Sequence, residues 1–331
     1  MPYDLYASDQ NNRGTIPFAV NWPTDPTEDT TVTATTASDL QTQLNSGLRR
    51  INYSGVDTTT TVTVGANDCH VHFLNGSRVG GITVPNGRLR AKFSAQTPRN
   101  NIHFGSVSVG DGATDIMFDG VRGDGAGSQV DLYNFTRLAI INCELRYGGN
   151  YVIGSWNLSA DSSSAAVKSD FILANTLLDA ASWGSLRIQG TDRAIIVDVL
   201  GDTRDSGYAS LRLEFNTLNV WIREFYGFAG GVTLDPQVGN SRPNATVHDV
   251  KYFDGGIWND GTVNTGLISF DGPDIANSSK VYNIELGAFD FYSDAYTPGA
   301  DIGGVQYSSS VWTVNSSQYR DFVSYPTWSF R

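Results

Sequence analysis

Several features are scarce in this chain of 331 residues, and each scarcity excludes something. No apolar run approaches the ~18 residues that a membrane-spanning helix needs. There are 22 basic against 34 acidic residues, a net charge of −12, which argues against a nucleic-acid partner that would require a basic footprint. Glu and Lys are few beside Asp and Arg, which fits acidic turns better than charged helices. The two cysteines, Cys69 and Cys143, are too far apart to suggest a disulfide framework and read as buried thiols. Long stretches lack any helical apolar period. Asn-Gly, the usual hairpin signal, occurs only at 75–76 and 86–87, too seldom for an antiparallel hairpin fold. The sequence has no phosphate-binding glycine loop and no nucleophile elbow.

What the chain has is a repeat. SLRIQG (185–190) and SLRLEF (210–215) match in pattern. GNYVIGSW (149–156), GGVTLDP (230–236), GLISFDG (266–272) and GGVQYS (303–308) continue the column. A second column alternates with it: DIMFDGV (115–121), AIINCEL (139–145), FILANTLL (171–178), AIIVDVL (194–200), NVWIREF (219–225), TVHDVKY (246–252) and KVYNIEL (280–286). Its members start 24, 32, 23, 25, 27 and 34 residues apart. That spacing is a solenoid rung with loops of variable length. Asn142, Asp249 and Asn283 sit between apolar positions, where left-handed corners are expected.

The predicted fold is therefore all-β, a right-handed parallel β-helix of roughly eleven coils over 38–308, with a short N-terminal capping α-helix at 38–47. In the helix, Ser38 and Gln41 have capping-box spacing, Leu40, Leu44 and Leu48 share a face, and Gly47 marks the end. Residues 1–37, with Pro2, Pro17, Pro23 and Pro26, read as an extended arm for assembly or attachment. Residues 309–331 carry Trp312, Tyr319, Phe322, Tyr325, Trp328 and Phe330 and read as a docking tail.

Strand alternation sorts the faces. Two outer ladders are predicted on the first column. One holds Arg187, Arg212, Thr233 and Ser269; the other holds Gln189, Glu214, Asp235 and Asp271. Carboxylates on neighbouring coils would stand ~5 Å apart, or ~10 Å with one coil skipped, near the separations that glycosidases use. Glu214, Asp235 and Asp271 are thus the candidate catalytic groups. Arg187, Arg212 and Gln189, with Trp183 and Tyr208 for ring stacking, are the candidate substrate-binding groups. The second column instead carries an outer apolar stripe that includes Ile141, Trp221 and Tyr282, an interface unless another part of the chain covers it. His70 and His72 share a strand face, but two ligands alone rarely make a metal site, and they read as solvated. GDGATDIMFDGVRGDG (110–125) matches neither calcium-loop spacing, so no metal is assigned, although a structural calcium fits its composition. No other cofactor is implied.

The pattern resembles the right-handed parallel β-helix proteins, the pectate-lyase-like enzymes and, most closely, the tail-spike and depolymerase domains of phages. The resemblance is architectural. The polygalacturonase motifs NTD, DD, GHG and RIK are absent. It implies a homotrimeric virion-surface or extracellular protein, made without a visible signal peptide, that binds and cleaves or only binds a polysaccharide. A secreted polysaccharide lyase or glycoside hydrolase and a non-catalytic structural β-helix are the alternatives.

Overall fold

The computed structural model describes residues 16, 18–124, 130–146, 150–156, 168–180, 183–203, 209–228, 232–236 and 245–259, and strands 268–270, 280–293, 305–307 and 323–330. The chain is a parallel β-solenoid built on two sheets, one of 14 strands and one of 10. SLRIQG and SLRLEF are indeed one rung apart: Leu186 pairs with Leu211 and Gln189 with Glu214, all in parallel. The stack makes about 8 turns rather than eleven. Rung length is not uniform. Arg49 pairs with Cys69, 20 residues on, whereas Thr246 pairs with Lys280, 34 residues on.

Alternation builds the core. Ile51, Val71, Phe93, Phe118, Ile140, Leu173, Ile196, Ile222 and Tyr252 stand in one inward column of the large sheet, each buried. Val62, Ile82, Val107, Val130, Ile153, Leu186, Leu211 and Val232 answer from the small sheet. Phe93 stacks on Phe118 with centroids 5.0 Å apart. Cys69 and Cys143 are buried free thiols; burial pushes them up to about 11 and about 12.

The capping helix runs Ala37–Leu44. Its N-cap is Thr36, whose side chain accepts from the Asp39 N–H, so Ser38 lies inside the first turn rather than at the cap. Leu40 and Leu44 close the end of the core. Leu48 is not on the helix: it has φ 52° and is exposed. At the other end, Val323–Phe330, within the aromatic tail, adds a strand beside Lys280–Ser293.

A corner column defines the large sheet. Asp68, Arg90, Asp115, Arg137, Asp170, Arg193, Asn219 and Asp249 occupy equivalent positions, and all have positive φ. Left-handed backbone costs a non-glycine residue about 1–2 kcal/mol; here ion pairing between neighbouring coils offsets it. Arg90 grips Asp68, Arg137 grips Asp115 (Nε–Oδ1 2.5 Å) and Arg193 grips Asp170 (2.8 Å). Asn142 (φ 56°) belongs to a second corner column with Asn175 and Asp198, and Asn283 follows Asp249 in register.

The N-terminal arm lies on this corner column. The backbone N–H of Thr27 donates to Asp68 (3.0 Å), that of Thr24 to Asp115 (2.8 Å) and that of Asn21 to Asp170 (3.2 Å). Three residues of arm therefore span two coils, about 9.6 Å at ~4.8 Å per strand. This is the rise of a polyproline II chain at ~3.1 Å per residue. The burial pattern agrees, for Val20, Pro23 and Pro26 are buried and the residues between them mostly are not. The carboxylates also respond. Arg90 and the Thr27 N–H hold Asp68 below the usual carboxylate range. Burial raises Asp115 and Asp170, but the arginine and arm hydrogen bonds outweigh it and hold both low.

Candidate functional site

The register confirms the two outer ladders of the small sheet. Arg187, Arg212, Thr233 and Ser269 stand in one, and Gln189, Glu214 and Asp235 in the other. Asp271 and Tyr208 lie outside the described residues. The ladder residues form one network. Arg187 Nε reaches Glu214 Oε2 at 2.6 Å, and the Gln189 amide donates to the same oxygen. Arg212 Nε is 3.2 Å from Glu214 Oε1, and its Nη2 donates to Asp235 at 2.7 Å. Coulombic attraction to Glu214, Tyr151 and Asp235 outweighs burial and keeps Arg212 charged.

This network differs from the solvated groove read from the sequence. Glu214 has no exposed surface, and Arg187, Gln189, Thr233 and Asp235 are buried as well. Outward-facing strand positions are solvated only when nothing lies over them, which alternation cannot tell. Two carboxylates and two guanidiniums balance in charge, so the cluster is neutral and internally bonded. Buried pairs of this kind fix geometry more than they add stability. A carboxyl held by Arg187, Gln189 and Arg212 without exposed surface, as Glu214 is, cannot reach a glycosidic oxygen as it stands.

The rim of the cluster is different. The Arg187 guanidinium lies over Trp156 (4.6 Å to the centroid) and Tyr151 (5.4 Å). Trp156 donates from its indole N–H to Asp131 at 2.6 Å. Its ring lies against Gly154, where any Cβ would collide with the indole. The Tyr151 ring meets Trp183 edge to face at 6.2 Å. Trp183 is 45% exposed, one of four large apolar side chains so exposed among the described residues. Asp131, Tyr151, Trp156 and the buried Lys168, which donates to the Gln189 carbonyl at 2.7 Å, were missed from the sequence. Tyr151 and Trp156 flank a recognised strand, so proximity to Arg187 one rung later was the available signal.

The stripe on the large sheet also changes meaning. Ala139, Ile172, Ile195 and Trp221 form one outer column, and Ile141, Ala174 and Val197 the next. Leu173 and Ile196 point inward. Ile16 and Val20 of the arm, with Phe18 and Trp22, pack on these residues, so Ile141 and Trp221 lie in a cluster sealed by the same chain rather than needing a second subunit. Tyr282 is not in the stripe: the column of Trp221 continues to Lys251 and Glu285, and Tyr282 stands opposite His248. The Tyr282 side chain lies outside the described residues.

In the Asp- and Gly-rich stretch, Asp115 binds Arg137, Asp119 accepts from Asn142 and Asp124 pairs with Arg122. Gly112, Asp115 and Gly120 form tight left-handed corners there. His70 is buried rather than solvated and His72 is half-buried; both bond Ser94, and His70 also meets Glu28 of the arm. Among the described residues, no group of three or more His, Cys, Asp or Glu side chains is arranged to hold a metal ion. No protein-family model, curated protein or solved structure matches the chain.

Proposed function

We propose that the chain is a rigid surface rod that binds a polysaccharide along the outer face of its ten-stranded sheet, in the manner of a viral tail spike, and that Trp183 is its principal contact. The observation that carries this reading is the exposed Trp183 ring at the edge of the Tyr151, Arg187 and Trp156 platform. Aromatic rings stack on the apolar faces of sugars, and a fixed platform loses little entropy on binding. The buried Arg187, Glu214, Arg212 and Asp235 network serves as the foundation that holds this platform still. On this reading the ladder carboxylates do not cleave the glycan.

The test uses the full chain and a panel of purified bacterial capsular polysaccharides and O-antigens, with tryptophan fluorescence and surface-immobilised binding as readouts. Covering the exposed part of Trp183, on the order of 100 Å², contributes about 2.5 kcal/mol at ~25 cal/mol per Å². Trp183→Ala is therefore expected to weaken binding roughly 70-fold, with loss of the edge-to-face contact to Tyr151 lowering stability by only about 0.5–1.5 kcal/mol. Binding that is indifferent to this substitution would overturn the assignment. Release of reducing ends that Glu214→Gln abolishes with the unfolding midpoint unchanged would restore the catalytic reading of the ladder.

A further inference from the structure

We propose that Ser94, His70 and Glu28 form a serine-hydrolase triad on the outer face of the 14-stranded sheet, acting on a small acyl ester. This site lies on the other sheet from Trp183 and does not depend on the saccharide reading.

The three residues come from three separate stretches. His70 and His72 lie on strand Cys69–Phe73 and point outward because Cys69, Val71 and Phe73 point into the core. Ser94 lies on the next strand, opposite His72, and Lys92 lies opposite His70. Glu28 is delivered by the arm, one residue past the Thr27 N–H that is fixed on Asp68. Lys92 secures the same segment through Asp25 at 2.7 Å.

The hydrogen bonds leave one consistent proton arrangement. The Glu28 carboxylate can only accept, so His70 Nδ1 carries the hydrogen and donates to it. His70 Nε2 then presents its lone pair to Ser94 Oγ, 2.7 Å away, and the Ser94 hydroxyl donates to it. The remaining contact, His72 Nδ1 to Ser94 Oγ at 2.9 Å, has His72 donating. Nucleophile, base and orienting carboxylate are thus joined in the sequence that activates a serine. Burial lowers the pKa of His70, with Glu28 opposing and Lys92 and Arg50 adding to the fall; His72 is lowered in the same way. His70 is therefore neutral near pH 7, as a base must be. Arg50, which stands opposite His70 on the preceding strand, acts on both imidazoles and helps lower them.

The chemistry balances with water as the only co-reactant. Ser94 Oγ bonds to the ester carbonyl carbon as its proton passes to His70 Nε2. The bond from that carbon to the alcohol oxygen breaks, and the alkoxide takes the proton from Nε2. Water then gives a proton to Nε2 and its hydroxide adds to the acyl carbon. The acyl–Ser94 bond breaks, Oγ regains the proton, and a carboxylic acid leaves. Glu28 is a positioning residue that stabilises the imidazolium. Ser94 is 9% exposed, so a small activated ester is the probe.

The experiment treats the full chain with p-nitrophenyl acetate and, separately, with a fluorophosphonate probe followed by peptide mass spectrometry. One label per chain on Ser94 is expected, with at least a 100-fold loss of hydrolysis in Ser94→Ala and in His70→Ala. Glu28→Gln is expected to lower kcat at least 10-fold with KM unchanged, and Glu28→Asp to restore part of it. Glu28 raises the pKa of His70, so its removal moves the acid limb of the rate profile to lower pH, which loss of a mere clamp would not do. Exchange protection of the Thr24 and Thr27 N–H groups verifies that the arm stays docked in these variants. An unlabelled Ser94, or hydrolysis equal in wild type and Ser94→Ala, overturns the proposal and leaves the cluster as a latch for the arm.

Discussion

Thr24→Pro isolates a single hydrogen bond that fastens the arm to the stack. The substitution removes the N–H that donates to Asp115 at 2.8 Å. It should not disturb the backbone otherwise. The arm has the rise of polyproline II, which proline favours, and the Thr24 side chain is exposed. Asp115 is 4% exposed, and a hydrogen bond to a charged acceptor is worth about 1.5–3 kcal/mol. Proline also stiffens the undocked arm, which returns about 0.4–1 kcal/mol. The net loss is about 0.5–2.6 kcal/mol, a roughly 2- to 80-fold rise in the undocked population. Hydrogen exchange at the Asn21 and Thr27 N–H groups reads this directly, and limited proteolysis within residues 16–29 reads it independently. Thr24→Ala keeps the N–H and is the control; it is expected to be nearly silent. If Thr24→Pro exchanged at the wild-type rate, the Thr24 N–H would not be bonded to Asp115, and the three-residue, two-coil match would fail.

Two further expectations concern charge. Glu214→Gln leaves Arg187 facing a neutral group and Arg212 with Asp235 alone; breaking a buried pair costs about 3–5 kcal/mol, read as a lower unfolding midpoint in denaturant, whereas a catalytic Glu214 would lose turnover with stability unchanged. Asp68, Asp115 and Asp170 have folded pKa values below their unfolded ones, so their contribution is present above about pH 4 and is lost as pH falls through the folded values. Arm protection against exchange is therefore expected to be full at pH 6 and to fall in acid, and an arm equally protected at pH 6 and pH 2.5 would show that the ladder does not hold it.

Both strand columns were legible in the sequence because a period of two fixes which side chains enter the core. Leu186 and Ile188 had to point in, so Arg187 and Gln189 had to point out. Alternation does not reveal what lies above an outward residue, and so the burial of Glu214 was not legible. The stripe as read from the sequence merged two outer columns, because a left-handed corner in the middle of a long strand, such as Asn175 or Asp198, breaks the alternation. The corner column itself was hidden by its arginines. Arg90, Arg137 and Arg193 adopt a conformation that composition assigns to Gly or Asn, and only their carboxylate partners on adjacent coils make it tolerable. The arm carried a usable signal, Val20, Pro23 and Pro26 at a spacing of three, but that period belongs to neither helix nor strand.

The central claim is that the apolar stripe of the large sheet is sealed by the chain's own arm. Light scattering after size-exclusion chromatography tests it on the full chain. A mass near 35.8 kDa, rising on deletion of residues 1–29 as Ile172, Ile195 and Trp221 become exposed, is the result expected. A mass near three chains for the full-length protein, unchanged by that deletion, would contradict it.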